Sequence, residues 1–125
     1  MYSGNLYQKR HKIRDSSINE KLIIIKDVLN ALLFLKSQPP KIIHGDIKPE
    51  NILFKSEDSF HIVLGDFGLS TILKDDYAKY KSLIQTRWYR SPEVIYKIPF
   101  NEKIDIWSLG CIIYELIASR PLFKS

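Results

Sequence analysis

The chain has 125 residues, 45% hydrophobic and 26% charged, with 5 Gly and 6 Pro, which excludes a collagen-like, linker-dominated or disordered chain and leaves one domain or part of a larger one. A single cysteine, Cys111, excludes an intramolecular disulfide framework and a Cys-rich zinc module and fits a reducing, intracellular setting. The net charge of +5 is uneven, with eight Lys/Arg against three Asp/Glu in residues 1–41 and eleven of each thereafter. Spaced charges of this kind read as a solvated face rather than a nucleic-acid patch.

Residues 1–12 are polar and lack the apolar stretch of a signal peptide. Residues 1–5 read as a loop or turn and residues 6–14 as a short helix. Ser17 followed by Glu20 has the spacing of a capping box, opening a helix that runs to about Ser37, where Pro39-Pro40 forbids continuation. Its apolar residues, Leu22, Ile25, Val28, Leu29, Leu32, Leu33 and Leu35, span more than one face, the pattern of a largely buried helix. Asn51 to Phe54 and Phe60 to Leu64 flank a turn at 56–59 and predict a hairpin over 51–64. Residues 65–93 have no strong period, and a stretch that long is usually functional or disordered. Lys103 to Ala118 predicts a second core helix, ended by Arg120-Pro121. Lys26 and Asp27 interrupt one apolar stretch, Asp105 and Glu115 the other, so no membrane span is expected.

The chemistry-bearing residues flank the hairpin. His44-Gly45-Asp46-Ile47-Lys48-Pro49-Glu50-Asn51 precedes it and Asp66-Phe67-Gly68 follows it. Because a hairpin returns the chain, Asp46, Asn51 and Asp66 can converge at one end. An amide and a carboxylate oxygen suit a hard cation such as Mg²⁺ shared with phosphate. A further carboxylate can accept a hydroxyl proton, and Lys48 can place positive charge on a moving phosphate.

In order, these strings resemble the C-terminal lobe of a eukaryotic protein kinase. His44 to Asn51 is similar to the catalytic loop, Asp66-Phe67-Gly68 to the metal-binding loop, Ser91-Pro92-Glu93 to the end of the activation segment, and Asp105 to Gly110 to the start of the central buried helix. The resemblance covers essentially all of residues 1–125. It implies an α+β, mainly helical fold whose small β-hairpin carries the catalytic and metal-binding loops. The N-terminal lobe, with its glycine-rich loop and strand lysine, is expected to be absent, with Met1 near the interlobe linker.

The resemblance also implies roles. Asp46 is the expected catalytic base. Lys48 neutralises charge on the transferred group and marks the Ser/Thr form of the loop. Asn51 and Asp66 hold Mg²⁺, Leu53 floors the adenine of ATP, and Asn5 stands at a ribose-contacting position. Thr86 hydrogen-bonds to Asp46 and Lys48 and shapes the peptide site. His44 and Phe67 align the loops by packing, and Asp105 holds the catalytic-loop backbone from inside. Thr86-Arg87-Trp88-Tyr89-Arg90-Ser91-Pro92-Glu93 resembles the segment of the cyclin-dependent, mitogen-activated, dual-specificity and SR-protein kinases, which phosphorylate Ser or Thr, often near Pro or Arg.

Three departures from that pattern stand out. Gly45 occupies the position of an arginine that in most relatives grips an activation-segment phosphate, and Lys81 occupies the phosphorylated position itself. The pair predicts a segment ordered without phosphate there, with Ser82, Tyr77 and Tyr80 as remaining acceptors. The second departure is the missing lobe, together with an arginine partner for Glu93. The third is burial: an isolated lobe should expose apolar surface and associate or dissolve poorly, unless the missing lobe or a partner covers it.

The expected partners are therefore ATP, a protein substrate and whatever covers those faces. Neither membrane nor nucleic acid is expected, and the expected location is cytoplasmic or nuclear. The competing expectation is a truncated, non-catalytic kinase-like binding or scaffold module.

Overall fold

The computed structural model describes residues 2–73, 78 and 84–124. Among the described residues four α-helices and four short strands follow one another: α1 (Arg10–Arg14), α2 (Ile18–Lys36), β1 (Lys41–Ile43), β2 (Ile52–Phe54), β3 (Ile62–Leu64), β4 (Thr71–Leu73), α3 (Pro92–Ile95) and α4 (Lys103–Ala118), with 3-10 turns at Pro49–Asn51 and Arg87–Tyr89. The capping box forms as expected. The Glu20 amide donates to Ser17 Oγ at 3.1 Å and the Ser17 amide to Glu20 Oε1 at 2.9 Å, satisfying two of the donors that open α2.

The predicted hairpin is β2–β3, antiparallel, with Ile52 opposite Leu64 and Phe54 opposite Ile62. Alternation sends Ile52 and Phe54 into the core, while Leu53 takes the opposite face and stays partly exposed. Asp27 on α2 pins the hairpin: its Oδ2 accepts from the Ile62 amide at 3.0 Å and lies 2.9 Å from His61 Nδ1.

Three elements differ from the sequence expectation. The short helix expected over residues 6–14 forms only over Arg10–Arg14, residues 6–9 being turn. Within the segment read as a loop over residues 1–5, the chain from Ser3 onward runs along the free edge of β2, where Ser3 and Leu6 amides donate to Phe54 and Ile52 carbonyls and Asn5 bridges to Leu53. The aperiodic stretch after residue 65 contains β4, which pairs antiparallel with β1, Ile43 opposite Thr71 and Lys41 opposite Leu73.

Two cores result, and α4 serves both. Ile24, Val28 and Leu32 of α2, Ile52 and Phe54 of the hairpin and Leu109, Ile112 and Leu116 of α4 form the larger. Ile43, Leu73, Val94, Phe100 and Ile104 form the smaller. Each such side chain, fully buried, contributes roughly 1.5–3 kcal/mol relative to exposure.

The helices are less enclosed than their all-round apolar pattern predicts. Ile18, Leu22, Leu29, Leu33 and Phe34 on α2 are exposed, as are Ile106, Trp107 and Ile117 on α4. The reason is geometric: α2 meets the hairpin, β1 and α4 on one side only. No helix is long and apolar enough to cross a membrane among the described residues.

Candidate active site

The site is built on the loop between β1 and β2, and α4 holds that loop from beneath. Asp105, 3% exposed near the start of α4, accepts the His44 amide on Oδ2 at 2.8 Å and the Gly45 amide on Oδ1 at 3.0 Å. Burial pushes its carboxyl above the ordinary range, and the two amide donors oppose that rise. Two consecutive amides on one carboxylate fix the chain direction at Gly45. There φ is +86°, and a Cβ would stand 2.7 Å from the Leu69 carbonyl oxygen. Only glycine combines that backbone with so close an approach.

His44 is fully buried and bonded at both ring nitrogens. Nδ1 accepts the Asp46 amide at 3.1 Å, so the ring hydrogen sits on Nε2, which donates to the Gly65 carbonyl at 2.8 Å. Phe67 tilts against the same ring with centroids 4.6 Å apart. These two side chains therefore join the loop before the hairpin to the loop after it.

Asp46 is the centre. Its Oδ1 accepts from Thr86 Oγ1 at 2.7 Å, and its Oδ2 lies 3.6 Å from Lys48 Nζ. Asn51 Nδ2 donates to the Asp46 carbonyl at 2.8 Å and to Oδ2 at 3.2 Å. The carboxylate is thus aimed by an ammonium, a hydroxyl and an amide. The expected bond from Thr86 to Lys48 is not formed; the two meet opposite oxygens of Asp46 instead.

Asp66 sits one residue beyond Gly65, whose amide donates to the Asn51 carbonyl at 2.8 Å. Its backbone is left-handed at φ +49° and its exposed Oδ1 accepts the Gly68 amide at 3.1 Å. The backbone thus brings Asp66 to the Asn51 end of the hairpin, yet no bond joins its carboxylate to Asp46 or Asn51. Among the described residues no three His, Cys, Asp or Glu side chains gather as a metal site. Asn5 and Leu53 lie side by side, and Asn5 Oδ1 accepts the Gln8 amide at 2.8 Å. Glu93 has no side-chain partner among the described residues. Tyr77, Tyr80, Lys81 and Ser82, on which the phosphate-free segment depends, lie outside the described residues.

Two groups near the site carried no expected role. Tyr89 donates its hydroxyl to Glu115 Oε1 at 2.5 Å in the wall of a cavity of about 490 Å³ also lined by Tyr7, Arg10, Glu50 and Arg87. Burial raises the pKa of both Tyr89 and Glu115. Their hydrogen bond raises the tyrosine further and lowers the carboxyl. The other is Gln85, 3% exposed and left-handed at φ +64°, whose backbone N–H donates to the Gly45 carbonyl at 2.7 Å and whose backbone carbonyl accepts Arg90 Nη2 at 3.0 Å. In the sequence Gln85 stands out only within Ile84-Gln85-Thr86-Arg87, a string that leans towards the dual-specificity and SR-protein kinases and assigns the side chain no role.

The family model described as protein kinase domain matches residues 3–125. Three curated relatives align over 98% of the chain. "Dual specificity protein kinase YAK1" of Saccharomyces cerevisiae is 39% identical over 125 residues and "Homeodomain-interacting protein kinase 1" of Caenorhabditis elegans 40% over 127. "Probable serine/threonine-protein kinase dyrk2" of Dictyostelium discoideum is 48% identical over 125. The chain spans only 13% to 15% of the length of these relatives.

Proposed function

The chain belongs to the protein kinase family, and from that premise we propose that it supplies the large-lobe catalytic half of a Ser/Thr protein kinase, transferring the ATP γ-phosphoryl group to protein hydroxyls. The observation that carries this reading is the Asp46 carboxylate held between the Thr86 hydroxyl at 2.7 Å and the Lys48 ammonium at 3.6 Å. A carboxylate so fixed orients a substrate hydroxyl and accepts its proton, and Lys48 offers positive charge to the group in transfer.

The residues fit a magnesium ion. Asn51 spends its amide nitrogen on Asp46, which leaves Oδ1 as a hard donor, and Asp66 keeps a carboxylate oxygen in solvent. Asn51 and Asp66 would hold Mg²⁺, whose chemistry is to neutralise phosphate charge. Leu53 would lie under the adenine of ATP, and the Asn5 amide nitrogen would serve the ribose. The relatives' names support a place among the dual-specificity and related kinases. An intracellular location, cytoplasmic or nuclear, belongs to the same proposal.

A second reading, a kinase-like scaffold, is favoured by the row of exposed apolar residues on α2, which would suit a covering partner or small lobe. Calorimetry separates the two. The catalytic reading expects Mg²⁺-dependent heat of ATP binding that Asp66→Ala abolishes. Binding indifferent to Mg²⁺, or none, overturns it in favour of the scaffold.

A further inference from the structure

We propose that Gln85 is a positioning residue whose buried side-chain amide locks the turn that places the Thr86 hydroxyl on Asp46. The argument begins with the hydrogen-bond count. Gln85 Oε1 accepts the Ser91 amide at 2.8 Å, while Nε2 donates to the Ile104 carbonyl at 2.7 Å and to Ser108 Oγ at 2.8 Å. Ser108 has one hydrogen, and it goes to the Tyr89 carbonyl at 2.6 Å rather than to the Ile104 carbonyl at 3.4 Å. Ser108 Oγ therefore must accept from Gln85, which settles which end of the amide faces α4. Both hydrogens and the oxygen of the side chain are in use, with no solvent to replace any of them.

These bonds run in three directions from one residue. The side chain ties residue 85 to α4 at Ile104 and Ser108 and to the start of α3 at Ser91. The backbone ties it to the catalytic loop through Gly45. Thr86 is the next residue, so its approach to Asp46 is fixed by the orientation of the preceding peptide. Gln85 itself is left-handed, a conformation uncommon for a residue with a Cβ. A glycine would relax the backbone and lose all three side-chain bonds. The glutamine therefore acts through its amide, not through tolerance of the turn. The inference rests on the phosphotransfer reading only for the role of Asp46; the mechanical link to Thr86 stands apart from it.

The test measures the Thr86 side-chain rotamer by three-bond couplings to its methyl group, in the full chain, for wild type, Gln85→Gly and Ser108→Ala. Wild type should show one rotamer. Gln85→Gly should show rotamer averaging at Thr86, and Ser108→Ala a partial version of it. Should Gln85→Gly fail to fold, Ser108→Ala, which removes one acceptor of Gln85 together with the donor to the Tyr89 carbonyl, carries the test. A lowered melting temperature with an unchanged Thr86 rotamer in every variant that folds would overturn the proposal, because it would reduce Gln85 to packing. Mg²⁺-dependent ATP binding of wild type in the same samples tests the phosphotransfer reading separately: its absence with intact rotamer coupling sinks that reading and leaves the positioning role.

Discussion

The two loops that flank the β2–β3 hairpin are held in opposite ways. The loop over residues 44–51 is internal except at the half-buried Lys48 and the exposed Glu50. His44, Asp46 and Asn51 are buried, Asp105 grips two of its amides, and every polar side chain in its centre has a partner inside the molecule. The turn over residues 66–70 is exposed throughout, and Asp66 bonds only to its own neighbour Gly68. Under the proposed function the difference separates two jobs. A group that aims a proton acceptor must be fixed before substrate arrives, whereas a group that takes up a cation must keep an oxygen open to solvent.

The comparison can be broken most severely at Asp105. Asp105→Ala strands two buried amides, each costing about 1–3 kcal/mol when unsatisfied. We expect the largest loss of stability here, read as a lower denaturant midpoint, and Asp105→Asn, which keeps one acceptor, should fall between. Next comes Gly45→Ala, which puts a Cβ against the Leu69 carbonyl at a left-handed φ and should cost about 1–3 kcal/mol. Because Leu69 belongs to the exposed turn, this variant should also speed amide exchange across residues 66–70 by mass spectrometry. Unchanged exchange there would show that the loops are independent.

Smaller again is the effect of pH. Burial raises Asp105 and Glu115 above the ordinary carboxyl values of 3.8 and 4.5. The folded chain therefore holds protons that the unfolded chain has released, and these groups favour folding less as pH climbs from those values through their folded ones. Melting temperature followed over that window should fall for this reason, and Glu115→Gln should flatten the slope. The smallest effect on stability belongs to Asp66→Ala, expected within about 0.5 kcal/mol of wild type because the side chain is exposed. A substantial drop in its thermal midpoint would mean that the turn is not the open partner of the pair.

What sequence could reveal followed the range of the forces involved. The capping box of α2, the hairpin and α4 rest on residues close in the chain, and all three stand where periodicity and capping chemistry put them. Strand β4 is three residues long and exists because β1, some thirty positions earlier, offers an edge; nothing local in Thr71-Ile72-Leu73 announces it. The pairing of Asn5 with Leu53 has the same character. Within the site, Asp46, Lys48 and Asn51 were legible because they share one short loop. Gln85 was not, since its importance comes from a backbone angle and from acceptors on a helix yet to be formed. Tyr89 and Glu115 were likewise hidden, 26 positions apart.

Helix α4 has a consequence of its own. Its 16 residues give Ile104 to one interior and Leu109, Ile112 and Leu116 to the other, with Asp105 and Ser108 bracing the surroundings of the Asp46 carboxylate on the way. One rod thus serves as the common beam of both compartments. Loosening either compartment slackens the grip on the chemistry, so heat or a protease should extinguish binding and structure in a single step.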